Sequence, residues 1–189
     1  MKHLKYIFIS ALSLSFLACQ NAGNEGTTNT SESSDEVSYH EAGQAFVEDE
    51  VSDPNILQIA IGSADHSTLV AAVQATKLEN ALVNAGPLTV FAPTNAAFDA
   101  LPEGTVENLL KTENLDQLAA ILKHHVTPGN YDKEFLKNFK KLGQADDTDA
   151  LVEVKGEDVY IGGAKIVASV KGSNGIVHVV DAVILPTSN

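Results

Sequence analysis

A strand, a break and the start of a helix follow one another in Thr89-Val90-Phe91-Ala92-Pro93-Thr94-Asn95-Ala96-Ala97-Phe98-Asp99-Ala100-Leu101. Leu88 to Ala92 is an apolar run that favours β-structure, which is typical of a buried strand. Pro93 cannot donate a backbone hydrogen bond, and it favours an extended conformation in the residue before it. The strand is therefore predicted to end at Ala92.

The second part of this stretch predicts a short helix. Thr94 or Asn95 can accept a hydrogen bond from the first free backbone amides of that helix. Phe98 and Leu101 lie three positions apart, so their side chains face the same way. Pro102 then closes the segment.

A second long motif lies near the C-terminus, in Ser173-Asn174-Gly175-Ile176-Val177-His178-Val179-Val180-Asp181-Ala182-Val183-Ile184-Leu185-Pro186. Its run from Ile176 to Leu185 is apolar on both faces, which predicts a central strand that is covered on both sides. The two motifs together resemble the signature motifs of the fasciclin domain family. The resemblance extends from Val51 to Pro186, with supporting segments at Asn55–Ala60, Ser67–Val73 and Leu122–Gly129.

Helical patterns come first along the chain and strand patterns follow. Ser67 can cap a helix that continues to about Lys77, and Thr105–Leu110 suggests a short helix. Asn114 and Gln117 have the spacing of a capping box before an amphipathic helix that includes Leu115, Leu118, Ala119 and Leu122. Strands are predicted at Leu151–Lys155, Val159–Gly162 and Ala164–Val170. The order indicates an α+β domain, and the fasciclin resemblance implies a β-wedge or sandwich with helices packed along one edge.

Residues 1–18 have the pattern of a secretory signal peptide. Lys2 and Lys5 precede an apolar run from Tyr6 to Leu17, which is too short to cross a bilayer because a spanning helix needs about 20 residues. Cys19 is the only cysteine, and it follows the small Ala18 as at a bacterial lipoprotein cleavage site. We predict acylation of Cys19; the alternative is an ordinary secretory peptide with an incidental thiol.

Residues 19–50 are polar and acidic, a composition that cannot bury enough surface to offset chain entropy. They predict a tether between the lipid anchor and a single domain at residues 51–187. The acidic run Ser33–Glu36 is of the kind that directs lipoproteins to the surface in some bacterial lineages. The predicted location is the cell envelope, on the surface or the periplasmic face of the outer membrane.

The formal net charge of −13 disfavours nucleic acid as a partner, because phosphate binding needs clustered Lys and Arg. The segment that comes closest to a basic cluster contains Lys137, Lys140 and Lys141. Asp132 and Glu134 lie beside these lysines, and the segment is predicted to be a solvated helix face. The membrane, reached through Cys19, and a protein or glycan at the cell surface are the partners that we expect.

Three histidines are candidates for chemistry. His125 extends the apolar stripe of the preceding helix and is predicted to be buried and structural. His124 stands where the fasciclin family usually has tyrosine, in a region implicated in integrin adhesion in animal relatives, and is predicted to be partly exposed. Neighbouring helix positions diverge by about 100°, so one metal ion is not held by both. His178 is predicted to make a buried hydrogen bond that joins two elements, since an unsatisfied polar group there costs about 1–3 kcal/mol.

The acidic residues of the motifs predict turns and caps. Asp99 and Asp181 could each orient a histidine as in a catalytic triad, but no serine lies in a nucleophile-elbow context. Asp146–Asp149 gathers carboxylates without the spacing of a calcium loop; a solvated turn is expected, with a weak divalent-ion site as the alternative. The sequence thus predicts no enzyme, no cofactor and no metal.

Two functions remain. The fasciclin resemblance implies a non-enzymatic module for cell adhesion or for attachment to matrix, glycan or other cells, and we expect contact at Thr94, Asn95, His124 and Tyr131. Pro93, Phe98, Asp99, His125, His178 and Asp181 are then structural residues of the motifs. The alternative is a binder of a small apolar ligand, as some relatives are, which would be favoured by a pocket of roughly 300–1,000 Å³.

Overall fold

Helices dominate the first half of the domain and strands the second in the computed structural model, which describes residues 53–186. The predicted signal peptide, Cys19 and the tether lie outside the described residues. The helices are α1 (Ile56–Ile61), α2 (Ser67–Ala75), α3 (Glu79–Asn84), α4 (Asn95–Asp99), α5 (Thr105–Leu109), α6 (Leu115–His124) and α7 (Lys133–Leu136). The strands are β1 (Leu88–Pro93), β2 (Val126–Pro128), β3 (Lys141–Gly143), β4 (Asp149–Lys155), β5 (Asp158–Ile161), β6 (Ala164–Gly172) and β7 (Gly175–Val180). The predicted α+β class is confirmed.

The described strands form one sheet in the order β2-β1-β7-β6-β5-β4-β3. β1 and β7, which carry the two sequence motifs, are the second and third strands of this order and pair in parallel, and the other neighbours are antiparallel. The sheet curls until its two edge strands approach each other. The amide of Ala145, just after β3, donates to the carbonyl of Val126 in β2 at 2.7 Å, and Thr127 donates to the side chain of Gln144 at 2.9 Å. The curled sheet is therefore nearly a barrel.

Two apolar clusters hold this arrangement. One packs α1, α2 and α6 against β1 and β7, and it includes Leu57, Leu69 and Leu122. The other fills the inside of the curled sheet around Phe91, Ile161 and Leu136. β1 contributes to both clusters because successive residues of a strand face opposite sides of the sheet. That double burial explains its apolar sequence.

Two of the predicted helix caps are wrong. Asn95, not Ser67, caps α2: its Oδ1 accepts from the amide of Thr68 at 3.0 Å, while Ser67 donates to the same oxygen at 3.3 Å. The side chain of Asn114 does not cap α6. Its Nδ2 donates instead to the backbone carbonyl of Asn108 at 2.7 Å.

Other helix ends follow the sequence more closely. Thr94 caps α4, as predicted, by accepting from the amide of Ala97 at 3.3 Å. A capping box forms at α1 between Asn55 and Gln58, with both hydrogen bonds 2.9 Å long. The three-residue spacing of these two amide side chains is the sequence pattern that indicates such a box. α2 ends at Ala75, two residues short of the predicted Lys77.

β7 ends at Val180, whereas a strand to Leu185 was predicted. In residues 181–186 the chain is partly exposed, but Ile184 is fully buried. The backbone there finds its partners outside the ladder, because the amide of Ile184 donates to a histidine side chain of the α6 terminus. The apolar run from Ile176 to Leu185 is therefore longer than the strand β7 that it contains.

Within residues 53–186, no helix has the length and apolarity that spanning a membrane requires.

Candidate functional site

His125 joins the end of α6 to the C-terminal segment. The residue is 3% exposed. Its Nδ1–H donates to the carbonyl of Ile121 at 2.8 Å, and its Nε2 accepts from the amide of Ile184 at 2.9 Å. Burial lowers the pKa of His125 from 6.5 to about 4, so the ring is neutral at pH 7. Both nitrogens are committed to backbone groups, which is the geometry expected of a structural histidine.

His178 makes a comparable bridge from β7. Its Nε2–H donates to the carbonyl of Tyr131 at 2.8 Å, and its Nδ1 accepts from Ser169 of β6 at 2.7 Å. Burial lowers the pKa of His178 below its ordinary value. The ring also stacks on Phe91, with the centroids 5.6 Å apart. His178 thereby ties the segment after β2 to two central strands.

The backbone amide of Tyr131 is also hydrogen-bonded. Thr89 of β1 is fully buried; its hydroxyl accepts from the amide of Tyr131 at 2.9 Å and donates to the carbonyl of Gly129 at 2.9 Å. Gly129 has φ +116°, and a Cβ there would lie 2.6 Å from the Tyr131 ring. Only glycine therefore allows the ring to pack against this turn.

Three aromatic rings continue from this anchored residue to the surface. Tyr131 stacks on Phe135 at 5.7 Å between centroids, and Phe139 meets both rings edge-on at 5.6 and 5.4 Å. Phe135 is 50% exposed on α7, while the other two rings are half-buried. We call Tyr131, Phe135 and Phe139 the aromatic ledge. It presents a large apolar ring on a base whose backbone is fixed by Thr89 and His178.

The prediction that His124 is partly exposed is wrong, because the residue is only 2% exposed. The loop between β3 and β4 folds over it. Its Nδ1–H donates to Asp146 Oδ2 at 2.9 Å and to Thr148 Oγ1 at 2.7 Å. Burial opposes ionisation of Asp146, but hydrogen bonds from Thr148 and His124 outweigh it, and its pKa is lowered. The acidic loop therefore covers His124. In this conformation the His124 side chain cannot contact a partner.

The remaining predicted contact residues do not form one surface with Tyr131. Thr94 and Asn95 follow the C-terminal end of β1, whereas Tyr131 lies near its beginning, about 16 Å away at the usual rise of a strand. Asn95 is engaged at α2, where its amide also donates to the carbonyl of Ala64 at 3.0 Å. Among the four predicted contact residues, Tyr131 is therefore the one beside an exposed aromatic ring.

The motif residues take mostly local roles. Pro93 is buried as the last residue of β1, and Phe98 packs, half-buried, against the helical core cluster. Asp181 accepts from the amide of Lys165 at 2.8 Å and closes the β6–β7 pair. Asp99 is exposed at the end of α4 and makes no side-chain hydrogen bond within the described residues, because the amides at a helix C-terminus are already paired within the helix.

Two apolar cavities meet at His125. One, of about 210 Å³, lies between α1–α3 and the β1–β7 face; the other, of about 280 Å³, lies between α4–α6 and the C-terminal segment. Leu69, Leu122 and His125 line both. Neither reaches the 300 Å³ that we expected of a pocket for a drug-sized ligand.

The family model for the fasciclin domain matches residues 64–186, which is more than half of the chain. The chain belongs to the fasciclin domain family.

Relatives of this fasciclin protein occur in bacteria and animals. It is 46% identical over 132 residues to "Protein sll1483" of Synechocystis, an alignment that covers 69% of this chain and 73% of the relative. It is 32% identical over 151 residues to the transforming growth factor-beta-induced protein ig-h3 of Oryctolagus cuniculus, covering 78% of this chain and 22% of that protein.

The fold matches a solved pair of fasciclin domains from the insect cell adhesion molecule Fasciclin I. The TM-score is 0.62 at 18% identity, over 70% of this chain. The fasciclin chain described here spans about half, 51%, of that chain. The likeness confirms the fold that the two sequence motifs implied.

Two buried histidines of this fasciclin domain are placed for packing. His125 and His178 each use both ring nitrogens in hydrogen bonds to other parts of the fold. Among the described residues, no group of three or more His, Cys, Asp or Glu side chains is arranged to hold a metal ion. The aromatic ledge is an exposed feature that could meet another molecule.

Proposed function

We propose that this protein is a non-enzymatic interaction module of the bacterial cell envelope that mediates adhesion or attachment to matrix, glycan or other cells. Acylated Cys19 would anchor it, and residues 19–50 would hold the domain away from the membrane. Membership of the fasciclin family supports this role, since one solved relative is described as an insect cell adhesion molecule. The bacterial relative of 46% identity carries no functional name.

The observation that carries the proposal is the exposure of Phe135 on the aromatic ledge. Interfaces are enriched in aromatic anchors, which bury a large area for little loss of side-chain freedom. Phe135 is half-exposed, yet two rings support it, and the backbone of Tyr131 is bound at both its amide and its carbonyl. Little ordering would be required when a partner covers this ring.

The chemistry of the ledge indicates what it could bind. An aromatic face accepts either an aromatic or aliphatic side chain of a protein or the apolar face of a sugar ring. Lys137 is paired with Glu134 at 2.7 Å, so the charges on α7 are largely compensated there. Contact through rings should therefore depend weakly on salt.

Binding of the fluorescently labelled protein to the bacterial cells that produce it tests this function. We expect Phe135→Ser to weaken binding about tenfold or more, since loss of an aromatic hot spot costs about 2 kcal/mol or more. Val167→Ser is the matched control, because Val167 is also about half-exposed, at 54%, but lies on β6. Equal binding by the two variants and the parent would contradict the proposal.

Treatment of the cells identifies the partner. Loss of binding after periodate oxidation indicates a glycan, and loss after proteolysis indicates a protein. Saturable binding that neither treatment reduces would count against both partners.

The side of the membrane is tested separately by protease accessibility of the tether in intact cells. Cleavage in unbroken cells supports display at the surface. Protection would place the domain in the periplasm, where adhesion to other cells is impossible.

A further inference from the structure

An apolar cavity, partly open to solvent, lies behind α3. Its volume of about 210 Å³ is lined almost entirely by aliphatic side chains, among them Leu57, Val73, Leu82 and Val177. An engineered apolar cavity of about 150 Å³ stays free of water and binds benzene. By proportion, this one accommodates about eight carbon atoms. A hydrocarbon guest would gain dispersion contacts with the apolar side chains that line the cavity.

One charged side chain stands at the opening. Lys123 is the charged residue of the cavity lining, and it is exposed, so it lies at the rim rather than inside. Within residues 53–186 it has neither an ion-pair partner nor a hydrogen bond, as is true of several other exposed lysines, but it is the one that lines this cavity. The rim therefore offers an uncompensated positive charge next to an apolar interior.

The outer wall of the cavity is the least firmly packed helix around it. α3 has six residues, none of them buried, and no side chain caps its first turn. Leu82 and Val83 touch the core from partly buried positions. Such a segment opens at lower free energy than the core strands, so it provides a route of entry.

We propose that this cavity binds a single-chain amphiphile with an anionic head group, such as a medium-chain carboxylate. The hydrocarbon chain occupies the space between α3 and the β1–β7 face, and the carboxylate pairs with Lys123 at the rim. This site lies apart from the aromatic ledge, and its occupation does not depend on the adhesion role.

Octanoate and 1-octanol are suitable probes, because they share a chain of the right length and differ in head-group charge. We expect octanoate to bind the purified protein at a single saturable site and to shift the methyl NMR signals of Leu82 and Val73. Lys123→Gln should weaken octanoate about two- to fivefold, as expected for an exposed ion pair, and leave octanol unchanged.

A second variant tests the position of the chain. Ala81 lines the cavity from the exposed face of α3, so Ala81→Leu should reduce the space without affecting the core and should weaken both probes. Ala120→Leu is the control, since Ala120 is exposed on α6 and lies in neither cavity lining.

Three results would overturn the inference. If neither probe shifts the cavity methyl signals, or if Ala81→Leu and Ala120→Leu bind octanoate equally well, the cavity is not the site. If octanol binds as tightly as octanoate and Lys123→Gln changes neither, the anionic head group is wrong.

Discussion

The amide of Ile184 donates a 2.9 Å hydrogen bond to Nε2 of His125, which lies 59 residues earlier in the chain. Nδ1 of the same ring holds the carbonyl of Ile121 inside α6. One neutral imidazole thus connects the helical layer to the segment that leaves the central strand β7. The bond exists only while Nε2 is unprotonated, because a protonated ring has two donors and no acceptor.

Stability is therefore expected to fall with pH below neutrality. The pKa of His125 is about 4 in the folded state and 6.5 when unfolded, so the unfolded chain binds the extra proton between these values. The free energy of unfolding is greatest above pH 6.5 and should decrease by about 3 kcal/mol as the pH falls through 4. Urea unfolding at pH 7, 5.5 and 4 measures the change.

His178 contributes in the same direction, since its pKa is also lowered. NMR titration of the His125 ring separates the two contributions. A ring pKa near 6.5 for His125 in the folded protein would contradict the prediction. The variant His125→Gln should be less stable at pH 7 and should lose part of the pH dependence.

Removing the side chain of Asn95 should destabilise the protein by about 1–2 kcal/mol, because α2 loses its N-cap and Ala64 loses a donor. We expect Asn95→Ala to lower the urea midpoint more than Ser67→Ala does. Ser67 lies at the position that the sequence suggested for the cap, yet it only supports the Asn95 side chain. Equal effects of the two substitutions would show that the cap is not assigned correctly.

The central elements were predictable because their signals are local. β1 and β4 to β6 follow from apolar runs and turn residues, and each lies within two residues of its predicted bounds. Helical periodicity likewise predicted α6, but the helix was expected to continue until Pro128 and Gly129 and instead ends at His124, before the short strand β2. Thr94 was predictable as a cap for the same reason, since its partner Ala97 is three residues away.

Long-range partners were not predictable in this way. The cap of α2 comes from Asn95, 27 residues after Thr68. His124 was expected at the surface, and only the β3–β4 loop, more than 20 residues later, makes it buried. A helical pattern describes which side of its own helix a residue occupies, but it does not show what later segments will cover that side. The aromatic ledge was missed for this reason too, apart from Tyr131.

The bridge through His178 is expected to support the aromatic ledge. His178→Leu removes a donor to Tyr131 and an acceptor for Ser169, and leaving the buried carbonyl unpaired costs about 1–3 kcal/mol. Ser169→Ala removes one bond but keeps the donor to Tyr131, so it should cost less, about 1 kcal/mol. Urea unfolding gives the cost, and hydrogen exchange at Tyr131 reports local loosening. Unchanged exchange in His178→Leu would contradict the support role.

Lys77 should be replaceable by glycine with a gain in stability. It follows α2 with φ +55°, and it completes a helix end in which the amide of Lys77 donates to Gln74 and that of Leu78 to Val73, at 3.1 and 3.2 Å. The left-handed conformation costs a residue with a side chain about 1–2 kcal/mol, and glycine avoids this but has more freedom when unfolded. Lys77→Gly should therefore raise the free energy of unfolding by roughly 0.5–1 kcal/mol in urea titration. Lys111→Gly is the control: Lys111 has φ −69°, where glycine relieves no strain, and the substitution should be neutral or destabilising. A loss of stability in Lys77→Gly would show that the helix end does not adopt this conformation.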